Sequence, residues 1–179
     1  MQLTLNIDGG SRGNPGPAGA GVVVRDDRGR ALFEGGFFLG EMTNNAAEYN
    51  GLLHGLRIAA GWPDADLVII SDSELMVRQV TGEYRVRSPD LAPLFEQAQR
   101  QLLRRGQWQI RHVRREHNIR ADDLANRAMD AGADVIITDA RPPAGATNAT
   151  RSTPTADKAR PPVQTARSRD TAAGGNGRR

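Results

Sequence analysis

The chain of 179 residues contains no cysteine. That absence removes disulfides, thiolate metal ligands and a thiol nucleophile together, so any metal it binds is expected on oxygen. It has a single lysine, Lys158, and its remaining positive charge is arginine, a planar donor that stays charged in every protein environment. No stretch approaches the roughly 20 apolar residues of a membrane-crossing helix, and the amino terminus lacks a basic segment followed by an apolar run. We therefore expect a cytoplasmic protein with no membrane partner. Basic and acidic residues nearly balance, 24 against 21, but residues 134–179 carry 8 of the basic and only 4 of the acidic side chains. The body of the chain is near neutral and its end is basic.

Large aliphatic residues also run out. From Arg141 onward only Val163 remains, among Pro142-Pro143, Pro161-Pro162 and many Ala, Thr, Ser and Arg, a composition with too little apolar surface to offset chain entropy. The expected organisation is one domain over residues 1–133 and a disordered basic tail over 134–179. Val135-Ile136-Ile137 is the one candidate in that tail for a last piece of ordered chain, and pattern alone leaves it open.

What is present is an alternation of periods. Leu3, Leu5 and Ile7 alternate with polar residues as in a half-buried strand, and two further strands, Gly21 to Arg25 and Ala31 to Leu39, flank the hairpin signal Asp26-Asp27-Arg28-Gly29. Tyr49, Leu52, Leu53, Leu56, Ala59 and Ala60 then recur at helical spacing, with the asparagines after Thr43 as caps. Leu67 to Ile70 is a continuous apolar run, as in a strand buried on both faces. A short helix through Val80 follows, then a helix from Ser88-Pro89, a strand around Trp108 to Val113, and a last helix carrying Ala121, Leu124, Ala125 and Ala128. The order βββαβααβα predicts an α/β layer architecture in which the fourth and fifth strands run parallel to the first.

Four acids are notable by position. Asp8 sits where the first strand should still be inside the sheet, before the glycine-rich turn Gly9-Gly10-Ser11-Arg12-Gly13-Asn14-Pro15-Gly16. Asp72 follows the buried fourth strand. Glu48 lies four residues before Leu52 and Asp122 three before Ala125, so both fall beside an apolar stripe. Each has a local reading: Asn45-x-x-Glu48 has the form of a capping box, Asp72 can cap its helix, and Asp122 suits a helix amino end. Together these readings fail, because parallel pairing of the first and fourth strands brings Asp8 and Asp72 side by side. Carboxylates that close need cations, and all-oxygen ligation suits Mg²⁺ or Mn²⁺.

These residues resemble type I ribonuclease H. The resemblance covers Leu3 to about Ala131 and rests on Asp8-Gly9-Gly10-Ser11-Arg12-Gly13-Asn14-Pro15-Gly16-Pro17, Thr43-Asn44-Asn45-Ala46-Ala47-Glu48, Ser71-Asp72-Ser73 and Asn118-x-x-Ala121-Asp122-x-Leu124-Ala125. It implies the ribonuclease H-like fold, a five-stranded mixed sheet of order 3-2-1-4-5 flanked by helices. It also implies an endonuclease that hydrolyses the RNA strand of RNA·DNA hybrids by two-metal-ion catalysis, leaving 5′-phosphate and 3′-hydroxyl ends. Asp8, Glu48, Asp72 and Asp122 become the metal-binding and catalytic quartet, with Asp123 the near alternative to Asp122 and two Mg²⁺ ions, or Mn²⁺, as cofactor. Asn14, Asn44 and Asn45 match positions that contact nucleic acid, Thr43 a position near a DNA-strand phosphate, and Tyr84 is placed to stack on a sugar. A monomer is expected. The alternatives are a non-cleaving hybrid or duplex-RNA binding module on the same fold, and a DNA integrase or resolvase of the wider superfamily.

The chain departs from better-known bacterial members in two places. They carry a histidine in a loop before the last helix; here that loop is Arg114-Arg115-Glu116-His117-Asn118, and the resemblance does not choose among Arg115, Glu116 and His117. They also carry a basic protrusion, reduced here to Thr81 to Ser88.

Overall fold

The computed structural model describes residues 1–140, so the disorder expected from Arg141 onward lies outside the described residues. The strands are β1 (Gln2–Ser11), β2 (Gly16–Arg25), β3 (Ala31–Met42), β4 (Asp66–Ser71), β5 (Trp108–His112) and β6 (Val135–Asp139). The helices are α1 (Asn44–Ala59), α2 (Glu74–Val80), α3 (Ala92–Leu102) and α4 (Ile119–Ala131), with one 3₁₀ turn at Arg115–His117. The strands form one mixed sheet of order β5-β4-β1-β2-β3-β6. β1 pairs parallel with β4, and β4 with β5, as the helical connections between them require.

The sheet has a sixth strand that the expected 3-2-1-4-5 order lacks. Val135 to Asp139 pairs antiparallel with the outer edge of β3, where Gly36 faces Val135 and Phe33 faces Asp139. It covers backbone groups that an edge strand leaves open. The compact unit therefore continues past residue 133. The third helix also starts later than its sequence suggests: Ser88 to Leu91 form a turn, and α3 begins at Ala92 with Pro93, not Pro89, in its first turn.

On one face of the sheet, Leu3, Leu5 and Ile7 of β1 pack with Leu52, Leu53 and Leu56 of α1, Leu102 of α3 and Leu67 and Ile69 of β4 in a continuous buried core. Tyr49 lies within it and its hydroxyl donates to Gln79 Oε1 at 2.7 Å, which satisfies two buried polar groups at once. On the other face α4 lies on β2 and β3 through Ala121, Leu124, Ala125 and Ala128, all buried. Among the described residues no helix is long and apolar enough to cross a membrane.

α4 comes this close because glycine faces it. A Cβ on Gly21 would stand 1.8 Å from the Ala121 carbonyl oxygen, so even alanine forces the helix off the sheet. Gly106 has nothing within 4 Å of the same position. Gly21→Ala is expected to destabilise the domain by about 3 kcal/mol, the upper part of the range for overpacking. Gly106→Ala should change stability by less than about 0.5 kcal/mol. Urea unfolding of the two variants measures the contrast, and equal midpoints would refute the close-packing account.

Candidate active site

The site begins with the register of the sheet. Ile7 pairs with Ser71 across the parallel β1/β4 ladder, so Asp8, still within β1, lies level with Asp72, the first residue past β4. Gly9 then admits α1: a Cβ there would lie 2.3 Å from the Ala47 carbonyl, and the contact sets Glu48 beside Asp8. Gly21 is the register partner of Asp8, and its missing side chain admits α4 at Ala121, one residue before Asp122. Two glycines adjoining Asp8 thus let two helices deliver one acid each.

The four acids line one cavity of about 220 Å³, together with Asn44, Arg115 and Asn126. The helix caps are made by other residues. Thr43 Oγ1 accepts from the Ala46 amide at the start of α1, and Ser73 Oγ accepts from the Met76 amide at the start of α2. Glu48 and Asp72 are therefore free of the capping roles their sequence positions allow. The cap at α1 is Thr43 rather than either asparagine. Asp123 turns away and pairs with Arg120 and Arg127, which leaves Asp122 as the fourth acid of the cavity.

Electrostatically the cavity is under-compensated. Burial, then the negative charges of Asp72 and Asp122, push Asp8 up to about 7, and it lies within hydrogen-bonding range of Asp72. Burial, then Asp8 and Asp72, push Glu48 up to about 9. Glu48 Oε2 is buried with no hydrogen-bond partner among the described residues, an arrangement that normally costs a kilocalorie or more. Two arginines line the cavity: Arg115 pairs with Asp122, and Arg12 pairs with Asp130 outside the four acids. Asn118 is buried and ties three elements together: its amide donates to the Ile7 carbonyl at 2.8 Å and to Asp72 Oδ1 at 3.0 Å, and its Oδ1 accepts from Asn6 at 3.2 Å.

The donor set fits hard divalent cations: four carboxylates, one with an unused buried oxygen, and no thiolate or imidazole. Among the described residues no three acids, histidines or cysteines close tightly enough to hold an ion unaided. Mg²⁺ commonly takes one or two carboxylates and completes its shell with water and substrate phosphate.

Comparison with known proteins agrees with this geometry. Residues 6–128 match the family model described as reverse transcriptase-like. A bifunctional protein of Mycobacterium tuberculosis is 43% identical over 143 residues, which cover 79% of this chain and 39% of that protein. Ribonuclease HI of Halobacterium salinarum is 43% identical over 124 residues, 69% of this chain and 62% of the relative. The crystal structure of RNase H1 from that archaeon covers 73% of this chain and 99% of its own at 40% identity and a TM-score of 0.71. The structure of LC11-RNase H1 in complex with RNA/DNA hybrid matches at 39% identity and a TM-score of 0.70, covering 73% and 99%. The chain belongs to the type I ribonuclease H family. It spans less than two thirds of the length of the two curated relatives named here.

Within this family fold, the other residues singled out in the sequence divide. Asn44 lines the cavity, and its Oδ1 accepts from the Ser11 amide at 3.3 Å. Asn14 Oδ1 accepts from the Asn44 amide at 3.1 Å, so these two lock the glycine-rich turn to the start of α1. Asn45 is exposed. Tyr84 stands apart from the cavity under the Arg78 guanidinium, 5.2 Å from its ring centre. Of the three loop candidates Arg115 alone lines the cavity; His117 is exposed and 3.8 Å from Glu116. Sequence reading gave no role to Asn126, whose amide donates to Asp122 Oδ2 at 3.2 Å. Its signal was the four-residue step Asn118, Asp122, Asn126 along one helical face.

The raised acids imply a definite pH dependence. In the unfolded chain Asp8 and Glu48 titrate in the ordinary carboxylate range, so between about pH 4 and pH 7 to 9 the native state holds more protons and stability falls as pH rises. We expect metal-free protein to lose melting temperature from pH 5 to 8, and Mg²⁺ to restore part of the loss by binding the native state. Asp8→Asn should melt several degrees higher than wild type at pH 8 without metal, at about 2–4 °C per kcal/mol. Calorimetry checks each point, and a lower melting temperature for Asp8→Asn would make the carboxylate a structural group.

Proposed function

We propose that this chain is an endonuclease that hydrolyses the RNA strand of RNA·DNA hybrids, leaving 5′-phosphate and 3′-hydroxyl ends. The observation that carries the reading is the convergence of Asp8, Glu48, Asp72 and Asp122 on one cavity, with Glu48 Oε2 unsatisfied. These four carboxylates would hold Mg²⁺ or Mn²⁺. Two such ions supply a Lewis acid for the scissile phosphate and a deprotonated water as nucleophile at neutral pH.

The chain itself positions the substrate. Asn14 and Asn44 spend their carbonyl oxygens on the backbone, which leaves their amide NH₂ groups with no partner among the described residues and free to donate. A hybrid displays 2′-hydroxyls on one strand only across a wide, shallow minor groove, and short fixed donors beside the carboxylates can test for them. Thr43 and Asn45 lie on the same exposed edge, where a DNA-strand phosphate would meet the amino end of α1. Arg115 is mostly exposed beside Asp122 and can exchange that partner for a phosphate oxygen at small cost. Tyr84 belongs to the outer part of such a surface, with Arg78.

Cleavage of end-labelled hybrid, duplex RNA and duplex DNA in Mg²⁺ and in Mn²⁺ tests the activity. Hybrid alone should be cut. Asp8→Asn and Asp72→Asn should each lower the rate by more than about 100-fold, the upper limit for a residue that only supports a ligand. Wild-type rates in either variant, or hybrid binding without cleavage, would favour the non-cleaving module.

The basic excess beyond residue 133 leads to a further expectation. An arginine-rich segment adds phosphate contacts whose strength falls steeply with salt. Truncation after Ala140, which spares β6, should leave kcat unchanged, raise KM and flatten its salt dependence between about 50 and 200 mM. Equal KM values for both lengths across that range would show that the segment makes no such contacts.

A further inference from the structure

A second cavity, of about 540 Å³, lies between the carboxyl ends of α1 and α3. It is remote from the acids: at 1.5 Å per residue, Leu56 is about 12 Å farther along α1 than Glu48. Its apolar lining is Ala60 and Pro63, both exposed, over the buried Leu56. Around these stand four arginines, 57, 100, 104 and 105. Arg105 is held by carbonyls alone, donating to Ala59, Trp62 and Ala65 at 2.9 to 3.3 Å from that carbonyl group set. Arg100 has a loose 3.7 Å contact with Glu96. Arg57 and Arg104 are exposed and make no ion pair among the described residues. Four guanidiniums thus surround one hollow, and Glu96 is the one carboxylate paired with any of them among the described residues.

The shape and chemistry select among anions. A duplex presents stacked bases behind an outer surface of phosphate and sugar, so it has nothing to seat against Ala60 and Pro63. Single strands are held by base stacking on aromatic rings, and no aromatic residue lines this cavity. Carboxylates suit guanidinium forks, singly or in pairs, and an aliphatic or phenyl side chain suits the hollow. We propose that this cavity is a docking site for an acidic peptide segment of a partner protein, with one apolar side chain entering between Ala60 and Pro63 and neighbouring carboxylates on Arg57, Arg100 and Arg104.

The test is fluorescence anisotropy on the full chain at about 0.15 M salt, where unspecific surface attraction is largely screened. The probe is a labelled peptide of about ten residues, aspartate and glycine with a single phenylalanine. Saturable binding is expected, weakened about tenfold in Arg57→Glu/Arg104→Glu, a loss typical of removing central contacts of a small interface. The arginines beyond residue 140 are present in both proteins and cancel. The same peptide with alanine in place of phenylalanine should bind wild type more weakly by a similar factor. Should the charge reversal lower the melting temperature, Arg57→Gln/Arg104→Gln carries the same comparison. Equal affinity of wild type and variant, indifference to the phenylalanine, or preferential binding of a thymidine oligonucleotide at the same arginines would each overturn the proposal.

Discussion

The structure depends on two backbone contacts made beside Asp8. Gly9, next in sequence, has the Ala47 carbonyl where a side chain would begin, and Gly21, opposite in register, has that of Ala121. Ordinary helix-on-sheet packing keeps the two backbones a side chain apart. Here α1 and α4 touch the sheet directly at one level, and that level is where β4 ends beside β1, which runs on against β2 alone. The acids are close because the backbones are close; their mutual repulsion works against the packing and is outweighed by the core around Leu5, Ile7, Leu52 and Ile69.

That balance explains why so little positive charge stands among the carboxylates. A lysine or arginine buried between Asp8, Glu48 and Asp72 would relieve the repulsion permanently and occupy the place proposed for a divalent cation. The arginine paired with one of the four acids is Arg115, on a mostly exposed side chain, where an ion pair contributes at most about 1 kcal/mol. Asn118 meets the same need without charge. A neutral amide fixes Asp72 to β1 through the Ile7 carbonyl, orienting the carboxylate while leaving its negative charge uncancelled.

Much of this was legible in sequence because it follows from local period. Strand alternation, the helical stripes and the placement of each acid beside an apolar face all depend on residues within one turn or two of each other. What escaped depends on distant partners. Val135 to Asp139 is a strand because β3 offers an open edge with Gly35 and Gly36, and nothing within the segment announces that edge. Pro89 is as good a first-turn residue as Pro93, and the choice falls to how Leu91 and Leu102 reach the core. The cap of α1 shows a subtler limit: Thr43, Asn44 and Asn45 all cap well in isolation, but Asn14 and Ser11 engage Asn44 from the glycine-rich turn, so Thr43 is left to take the Ala46 amide. Arg115 could not be separated from Glu116 and His117 because a 3₁₀ turn points three consecutive residues in three directions.

The two ends of α1 carry opposite chemistry, and the helix itself accounts for part of the difference. Its amino end carries the partial positive charge of the helix, which suits phosphate and carboxylate; its carboxyl end carries the partial negative charge, which attracts guanidinium. Arg105 answers that second demand, closing the carbonyls of Ala59, Trp62 and Ala65. One arginine is enough for this. The helix end does not require Arg57 or Arg104, which touch none of its carbonyls, and an isolated basic residue there would be ordinary surface. Their gathering around an apolar hollow with Arg100 exceeds what helix termination needs, and that excess separates the cavity from a merely capped helix end.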